Sequence, residues 1–437
     1  MQLKVLMFGW EFPPHISGGL GTACQGLTKG LSVFNDIEVT FVVPKAHGDE
    51  NSDLVKLIGA ADIPLSNKKM KFKNSQNEIK YFKIKSHIVP YTNPDEFWKL
   101  TSLKHSGKTQ FLQTDEYGRV PFTGKYGMNL IDEVFSYAMV AGKIAGEKQF
   151  DLIHAHDWMT FQAGIEAKRI SGKPLIVHIH STDFDRSGGN VNPQIYAIER
   201  EGMEYADKIV AVSEYTKLIL VEKYGISAKK IQTIYNGVEP FDLRTGNEIK
   251  KGFKEKLVTF LGRVTSQKGP GYFVEAASEV LRRNNNVRFV MAGSGDMLNE
   301  MVRRAAQLKI ADRFHFTGFL ENHEVQSLYQ MSDVYVLPSV SEPFGISVLE
   351  AAQGNVPVVV SKQSGVSEVL NNVLKVDYWD VHALADAIHA LIEYPALGIC
   401  MKKRAHAEVL NMNWDVPAGQ LRQLYIQTCK TKHSRNK

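Results

Sequence analysis

Short apolar runs and longer amphipathic stretches alternate along the chain. Lys4–Phe8, Glu38–Val43, Asp151–His156, Leu175–Ile179, Ile209–Val212 and Ile231–Tyr235 are brief and apolar, and each gives way to glycine, proline or polar residues. Runs of this length and punctuation predict buried strands. Helical stretches fall between them, up to about Val33 and from Asn129 to Gly146. A polar, basic segment, Glu239–Lys256, then interrupts the pattern, and it resumes at Leu257–Leu261, Val287–Ala292, Phe314–Phe316, Asp333–Leu337 and Val356–Val360. Further helices are expected from Ile346 to Gly354, from Asp380 to Glu393, from Pro395 onward, and from Trp414 to about Lys430. Strands alternating with helices predict two doubly wound α/β halves.

The length of 437 residues suits two domains. The expected division is 1–240 together with a returning helix, 414–437, against 241–413. From Asp49 to Gly127 the pattern weakens. Lys68–Lys73 reads there as a solvated basic loop. Phe97, Trp98, Phe111, Tyr117, Phe122 and Tyr126 are either core residues or faces on which a carbohydrate could stack.

Hydrophobic residues make up 43% and charged residues 23% of the chain, which fits a globular protein without extensive disorder. The net charge of +5 is mild. It suits phosphate ligands or a weak approach to an anionic surface, and does not argue for nucleic acid. Cys24, Cys400 and Cys429 are odd in number and far apart, and no C-x-x-C is present, so neither a disulfide framework nor a zinc site is supported. No run of about 18 apolar residues predicts a membrane span. The first apolar run carries Lys4 and soon meets Pro13-Pro14, unlike a signal peptide. A cytoplasmic enzyme is the expectation.

Candidate chemistry collects where strands end. Ser339–Gly354 reads as strand, loop and helix, with Glu342 in the loop and Glu350 one turn into the helix. The helix start offers free amides and the positive end of its dipole to an anion. Two solvated surface carboxylates are the simpler alternative. The first strand leads into Gly18-Gly19-Leu20-Gly21, a phosphate-cradling arrangement but not the dinucleotide G-x-G-x-x-G. The second strand ends in Pro44-Lys45 and not in a ribose-binding acid, which disfavours a nicotinamide enzyme. Glu11 and His15 could line the same cleft, or His15 could be a loop histidine without a partner. Asp151–His156 delivers His154 and His156 to a strand tip, followed by Asp157 and Trp158. Zinc is the sharp alternative for such a His-x-His, but no third ligand follows at a family spacing. The next strand ends in His180-Ser181-Thr182-Asp183. Arg186 beyond it either reaches an acceptor or phosphate or is an exposed loop arginine. Arg263 and Lys268, five apart on a strand-to-helix loop, can converge on one anion, or sit on the surface.

Taken in order, GG-x-G, HAHDW (His154–Trp158), Asn236-Gly237-Val238, GR-x4-KG (Gly262–Gly269) and E-x7-E (Glu342–Glu350) resemble the retaining nucleotide-sugar glycosyltransferases with the GT-B fold, most of all the glycogen and starch synthases. The resemblance implies two facing Rossmann-like domains, with the last helix crossing back near Trp414. It places Glu342 and His156 at the donor sugar, with His154 structural, and gives the backbone of Phe344, Gly345 and Ile346 a share of that contact. Glu350 would hold the ribose hydroxyls, the amides of Gly18 and Gly19 would meet the diphosphate, and Phe319 and Leu320 would hold the base. Arg263 and Lys268 would stabilise the leaving diphosphate. Glu11, His180 and Arg186 remain candidates for the sugar or acceptor.

The implied reaction moves glucose from ADP- or UDP-glucose to an α-1,4-glucan with retained configuration. No cofactor is expected and, without an Asp-x-Asp after a strand, no metal. One departure matters: the relatives carry a lysine two residues before the glycine pair, where this chain has Ile16. Polysaccharide, glycolipid or small-glucoside acceptors remain alternatives, as does a GT-B epimerase. A secreted sugar-binding receptor would need the signal peptide that the sequence lacks.

Overall fold

The computed structural model describes residues 2–16, 18–50, 55–65, 114–115, 117–240 and 251–435. The first half contains β1 (Leu3–Phe8), α1 (Gly19–Ser32), β2 (Ile37–Val43), β3 (Lys56–Gly59), α2 (Leu130–Glu147), β4 (Leu152–His156), α3 (Trp158–Ser171), β5 (Leu175–Ile179), α4 (Asp183–Ser187), α5 (Pro193–Tyr205), β6 (Lys208–Ala211), α6 (Glu214–Tyr224) and β7 (Ile231–Thr233). The second contains β8 (Lys256–Leu261), α7 (Pro270–Arg283), β9 (Val287–Ala292), α8 (Leu298–Gln307), β10 (Phe314–Gly318), α9 (Asn322–Met331), β11 (Val334–Leu337), α10 (Ile346–Gln353), β12 (Val358–Ser361), α11 (Val366–Val369), β13 (Leu374–Val376), α12 (Val381–Glu393) and α13 (Pro395–Val409). The last helix, α14 (Asp415–Arg435), returns to the first half.

The strands pair in parallel in a seven-stranded sheet of order β3-β2-β1-β4-β5-β6-β7 and a six-stranded sheet of order β10-β9-β8-β11-β12-β13. Parallel sheets covered by helices on both faces bury their strands throughout, and β4, β5, β11 and β12 are buried at every residue, the first two with histidines among apolar residues. The chain reverses its direction of strand addition between β1 and β4 in one sheet and between β8 and β11 in the other. At such points the loops on the two sides separate and leave a crevice at the strands' carboxyl ends. Four of the five motifs lie at the carboxyl ends of these strands; Asn236-Gly237-Val238 follows β7. This is the expected GT-B architecture.

Close helix contact fixes α14. A Cβ on Gly26 would lie 2.1 Å from the Trp414 ring, and one on Gly30 2.6 Å from the Trp414 carbonyl oxygen. Only glycine lets α1 approach the start of α14 so closely. Trp414 is 4% exposed, Arg422 pairs with Asp36, and Tyr425 is fully buried against the first sheet. Trp414 therefore stands at the crossing, as expected.

Within the stretch where the pattern weakens, β3 is an unpredicted strand: four edge residues, too short to show a period. Phe122 and Tyr126 are core and Tyr117 is exposed. Lys68–Lys73, Phe97, Trp98 and Phe111 lie outside the described residues. Among the described residues no single helix is long and apolar enough to cross a membrane. Helices α12 and α13 pass together on length and composition but are bent by 100°, and both contribute to the second core.

Replacing Gly26 by valine should lower the denaturant midpoint by the equivalent of about 1–3 kcal/mol, the usual cost of overpacking. Gly252→Ala, whose Cβ meets nothing within 4 Å, should leave it nearly unchanged.

Candidate active site

The second half supplies two loops. The loop after β8 carries Arg263 and Lys268 and ends at Gly269, whose φ is +67°. A Cβ there would sit 2.0 Å from the Pro338 carbonyl oxygen, so glycine is required both by conformation and by the loop after β11. The buried Gln267 joins the two loops, its carbonyl accepting from the Val340 amide at 2.9 Å and its side chain accepting from Arg263 at 3.3 Å. Lys268 Nζ then meets Glu342 Oε2 at 2.5 Å, with side-chain exposures of 17% and 7%. Ser339 Oγ donates to the same carboxylate oxygen at 3.1 Å.

Past Glu342, Phe344 is buried in the core, so only its backbone is offered to a ligand. Gly345 takes φ +106° at the start of α10, and Ile346 is half-buried, packed against the apolar clusters of both halves. Glu350 is half-buried; burial raises its pKa, opposed by the Tyr329 hydroxyl, which donates to Oε2 at 3.3 Å. Phe319 is 71% exposed at the end of β10, while Leu320 packs on a small apolar cluster.

The first half supplies the loops after β1, β4 and β5. Gly18 precedes α1, and a Cβ on Gly18 or Gly19 would meet nothing within 4 Å, so the space over their backbone is open. Glu11 does not stand free beneath them. Its carboxylate accepts from the Gly21 amide at 3.2 Å and from the Tyr126 hydroxyl at 2.9 Å, which fixes the glycine loop from below. Ile16 lies on the same loop, against Gly21. His15 has a partner after all: Nε2 is 2.7 Å from Asp49, and its ring stacks on His47.

His154 and His156 are fully buried. His154 Nδ1 meets the Tyr425 hydroxyl at 2.7 Å, and His156 Nδ1 meets Nε2 of the half-buried His180 at 2.9 Å. Burial, with smaller effects from neighbouring imidazoles, pushes the His154 pKa down to about 3 and that of His156 well below its ordinary value. Burial also takes His180 down to about 3. Uncharged imidazoles are what a site for neutral sugar hydroxyls can use. Asp157 holds this corner at φ 58° and ψ 170°, a region nearly restricted to glycine, with its carboxylate accepting from the His180 amide at 2.7 Å.

Arg186 corrects both expectations for it. It is neither exposed nor free for a ligand: its side chain is 6% exposed, it donates to Glu199 at 2.6 Å and it lies 3.8 Å from Asp183. The sequence could not show this, because Glu199 reaches it from the following helix.

The two halves meet at these loops. Ser341 Oγ donates to Asp185 at 2.5 Å and lies 2.9 Å from the Tyr215 hydroxyl. Ser213 Oγ donates to the Pro343 carbonyl at 2.6 Å. Glu368 accepts from the Glu214 and Tyr215 amides at the start of α6. Asp157, Asp185, Ser341 and Glu368 were not singled out as site residues from sequence. Only Asp157 carried a signal there, as the residue after His156 at a strand tip.

Comparisons with known proteins place this geometry in a family. Residues 105–240 match Glycosyltransferase Family 4 and residues 245–408 match Glycosyl transferases group 1. An uncharacterised glycosyltransferase of Methanocaldococcus jannaschii is 31% identical, covering 85% of this chain and 83% of that protein. Glycogen synthase of Mycobacterium tuberculosis is 25% identical over 97% of this chain and 94% of its own length. The structure of sucrose-phosphate synthase from Thermosynechococcus elongatus superposes with a TM-score of 0.70, at 18% identity, over 98% of this chain and 99% of that one. The fold and cleft define a GT-B glycosyltransferase. The chain belongs to the group 1, family 4 glycosyltransferases, a retaining family.

Arg263→Ala and Lys268→Ala should each lower turnover about a hundredfold, roughly 3 kcal/mol of barrier, measured as nucleotide release. Lys268→Ala should also lower the melting temperature, because it strands the buried Glu342 charge. Burial pushes Asp157 and Glu199 up to about 7, against the lowering effect of Arg186 on each. Both then bind a proton more tightly folded than unfolded, where ordinary values are 3.8 and 4.5. The stability they contribute is complete at low pH and is lost as the pH rises through about 7. Melting temperature should fall across that range, and less steeply in Asp157→Asn.

Proposed function

We propose that this enzyme transfers glucose from ADP- or UDP-glucose to the non-reducing end of an α-1,4-glucan. The observation that carries the donor side is the cationic pair of loops, with Arg263 and Lys268 fastened beside Glu342 at the start of α10. A departing nucleoside diphosphate gathers negative charge as the glycosidic bond lengthens. Two cations and the first amides of a helix, preorganised in a crevice, stabilise that charge without reorganisation. Lys268 would exchange Glu342 for the diphosphate, and Glu342 would turn to the donor sugar with His156. The amides of Gly18 and Gly19 would approach the diphosphate from the other lobe, in place of the lysine that Ile16 replaces. Glu350 would take the ribose hydroxyls, and the backbone of Phe319 and Leu320 the base.

The route is front-face. The acceptor hydroxyl attacks the anomeric carbon on the side from which the diphosphate leaves, and its proton passes to the departing phosphate oxygen. Configuration is retained, and positioning with charge stabilisation supplies most of the rate gain. No metal takes part in this step. The glucan acceptor rests on the likeness to glycogen synthase over nearly the full length of both chains.

The test incubates the enzyme with labelled ADP-glucose and UDP-glucose, with and without glycogen. Nucleotide release that requires glycogen and places label in the glucan is expected. Release without labelled glycan would move the assignment to hydrolysis or epimerisation. Release that requires another carbohydrate or a lipid-linked acceptor would reassign the acceptor. Glu342→Ala retaining transfer within about twofold, where one lost contact of this kind costs about a hundredfold, would remove that carboxylate from the donor site.

A further inference from the structure

At the ends of β4 and β5 two imidazoles meet edge to edge. His156 Nδ1 lies 2.9 Å from His180 Nε2, and the two rings are inclined by only 26°. Their centroids are 5.2 Å apart. That is the spacing of two rings joined by an N–H···N bond in their common plane: the length of the bond plus one ring radius at either end. The lone pair of one nitrogen therefore faces the N–H of the other.

The surroundings hold this pair in place. The Asp157 carboxylate, next in sequence to His156, accepts from the His180 amide at 2.7 Å and so fastens one loop to the other. The His178 ring stacks on that of His180 at 17°, with centroids 4.2 Å apart, and the His154 ring lies 4.2 Å from that of His156. His156 is fully buried, and its second nitrogen, Nε2, has no hydrogen-bond partner among the described residues. Buried polar atoms are almost always paired, so Nε2 is the atom of this ring left for a ligand.

Burial keeps both rings uncharged at neutral pH, His180 down to about 3. A neutral imidazole has one N–H and one bare nitrogen. One proton therefore lies between the rings, and the ring that gives it fixes both tautomers. If His180 donates, both rings carry their proton on Nε2. If His156 donates, both carry it on Nδ1. The first is the form that a neutral histidine side chain prefers when nothing constrains it.

We propose that His180 is a positioning residue for donor recognition: its Nε2–H donates to His156 Nδ1 and so sets His156 Nε2 as an N–H donor to one hydroxyl oxygen of the donor sugar. This deepens the proposed transfer and rests on His156 standing at that sugar. The consequence is specificity. A ring locked as a donor requires an oxygen at one position of the sugar, and a deoxy sugar there would leave a buried N–H unpaired. His180 acts through His156 and does not itself read the sugar.

Full-length enzyme labelled with 15N-histidine reports the tautomer without any donor present. The signal lost in His156→Phe identifies His156, and its proton is expected on Nε2. A proton on Nδ1 overturns the assignment. His180→Gln, whose amide can donate from near the same point, should leave the proton on Nε2, while His180→Glu, which only accepts when ionised, should move it to Nδ1. Affinities for UDP against UDP-glucose, and ADP against ADP-glucose, then measure the gain in binding due to the sugar, with no acceptor present. His180→Phe should cut that gain by about 3–10-fold, the worth of one hydrogen bond, and leave affinity for the free nucleotide unchanged. His180→Gln should recover most of it. An undiminished gain in His180→Phe overturns the proposal. In His156→Phe, adding His180→Phe should cost nothing further; additive losses would mean that His180 meets the sugar directly, and would overturn the positioning role. If His180→Phe does not fold, the wild-type tautomer and the His180→Gln and His180→Glu spectra still decide. Sugar nucleotides that bind no more tightly than free nucleotides, with the proton on Nε2, would overturn the donor reading and leave the pairing of His180 with His156 standing, so the two failures are distinguishable.

Discussion

The buried contact between Lys268 and Glu342 is the constraint on which the rest of the cleft depends. Removing two opposite charges from water costs more than their attraction returns unless the geometry is close and the remaining polar atoms are satisfied. Here the ions are 2.5 Å apart, and Ser339 donates to the same carboxylate oxygen. This geometry requires two loops from different strands to lie against each other to within a van der Waals contact. Gly269 and Gln267 make that approach feasible, the first by having no Cβ and the second by bonding across the gap. In the proposed reading, an anion entering the crevice would find a cation already positioned and would compete with one carboxylate for it.

The sheets explain why those loops are neighbours. In each half two motifs follow the strands on either side of the reversal in strand order, where backbone diverges and leaves room. The second half contributes charge: Arg263, Lys268, Glu342 and the start of α10. The first half contributes uncharged donors and acceptors: the glycine loop and imidazoles that burial keeps neutral. Contacts such as Ser341 to Asp185 and Glu368 to the amides of α6 hold the two sets face to face. They run through the loops that carry the site, so movement of one half against the other would change the site itself.

Much of this was legible in the residues. Strand and helix positions followed from apolar runs and their glycine and proline boundaries, because burial on both faces of a parallel sheet demands them. The loops of the candidate site were equally visible, as charged, histidine and glycine residues gathered at the carboxyl ends of buried strands. β3 escaped because four edge residues show no period. Arg186 was misread because its partner, Glu199, is distant in sequence and brought near only by the return of α5.

The sequence by itself determined the class of fold, the order of its motifs and the residues offered at each strand end, because periodicity and loop composition are local properties. Tertiary structure decided which of those residues meet. It paired Lys268 with Glu342, placed Glu11 beneath the glycine loop, withdrew Arg186 into a buried ion pair and stacked His178 beside His154 and His156. Each outcome depends on strand register and helix packing between distant segments, where hydrogen bonds and ion pairs form by proximity in space.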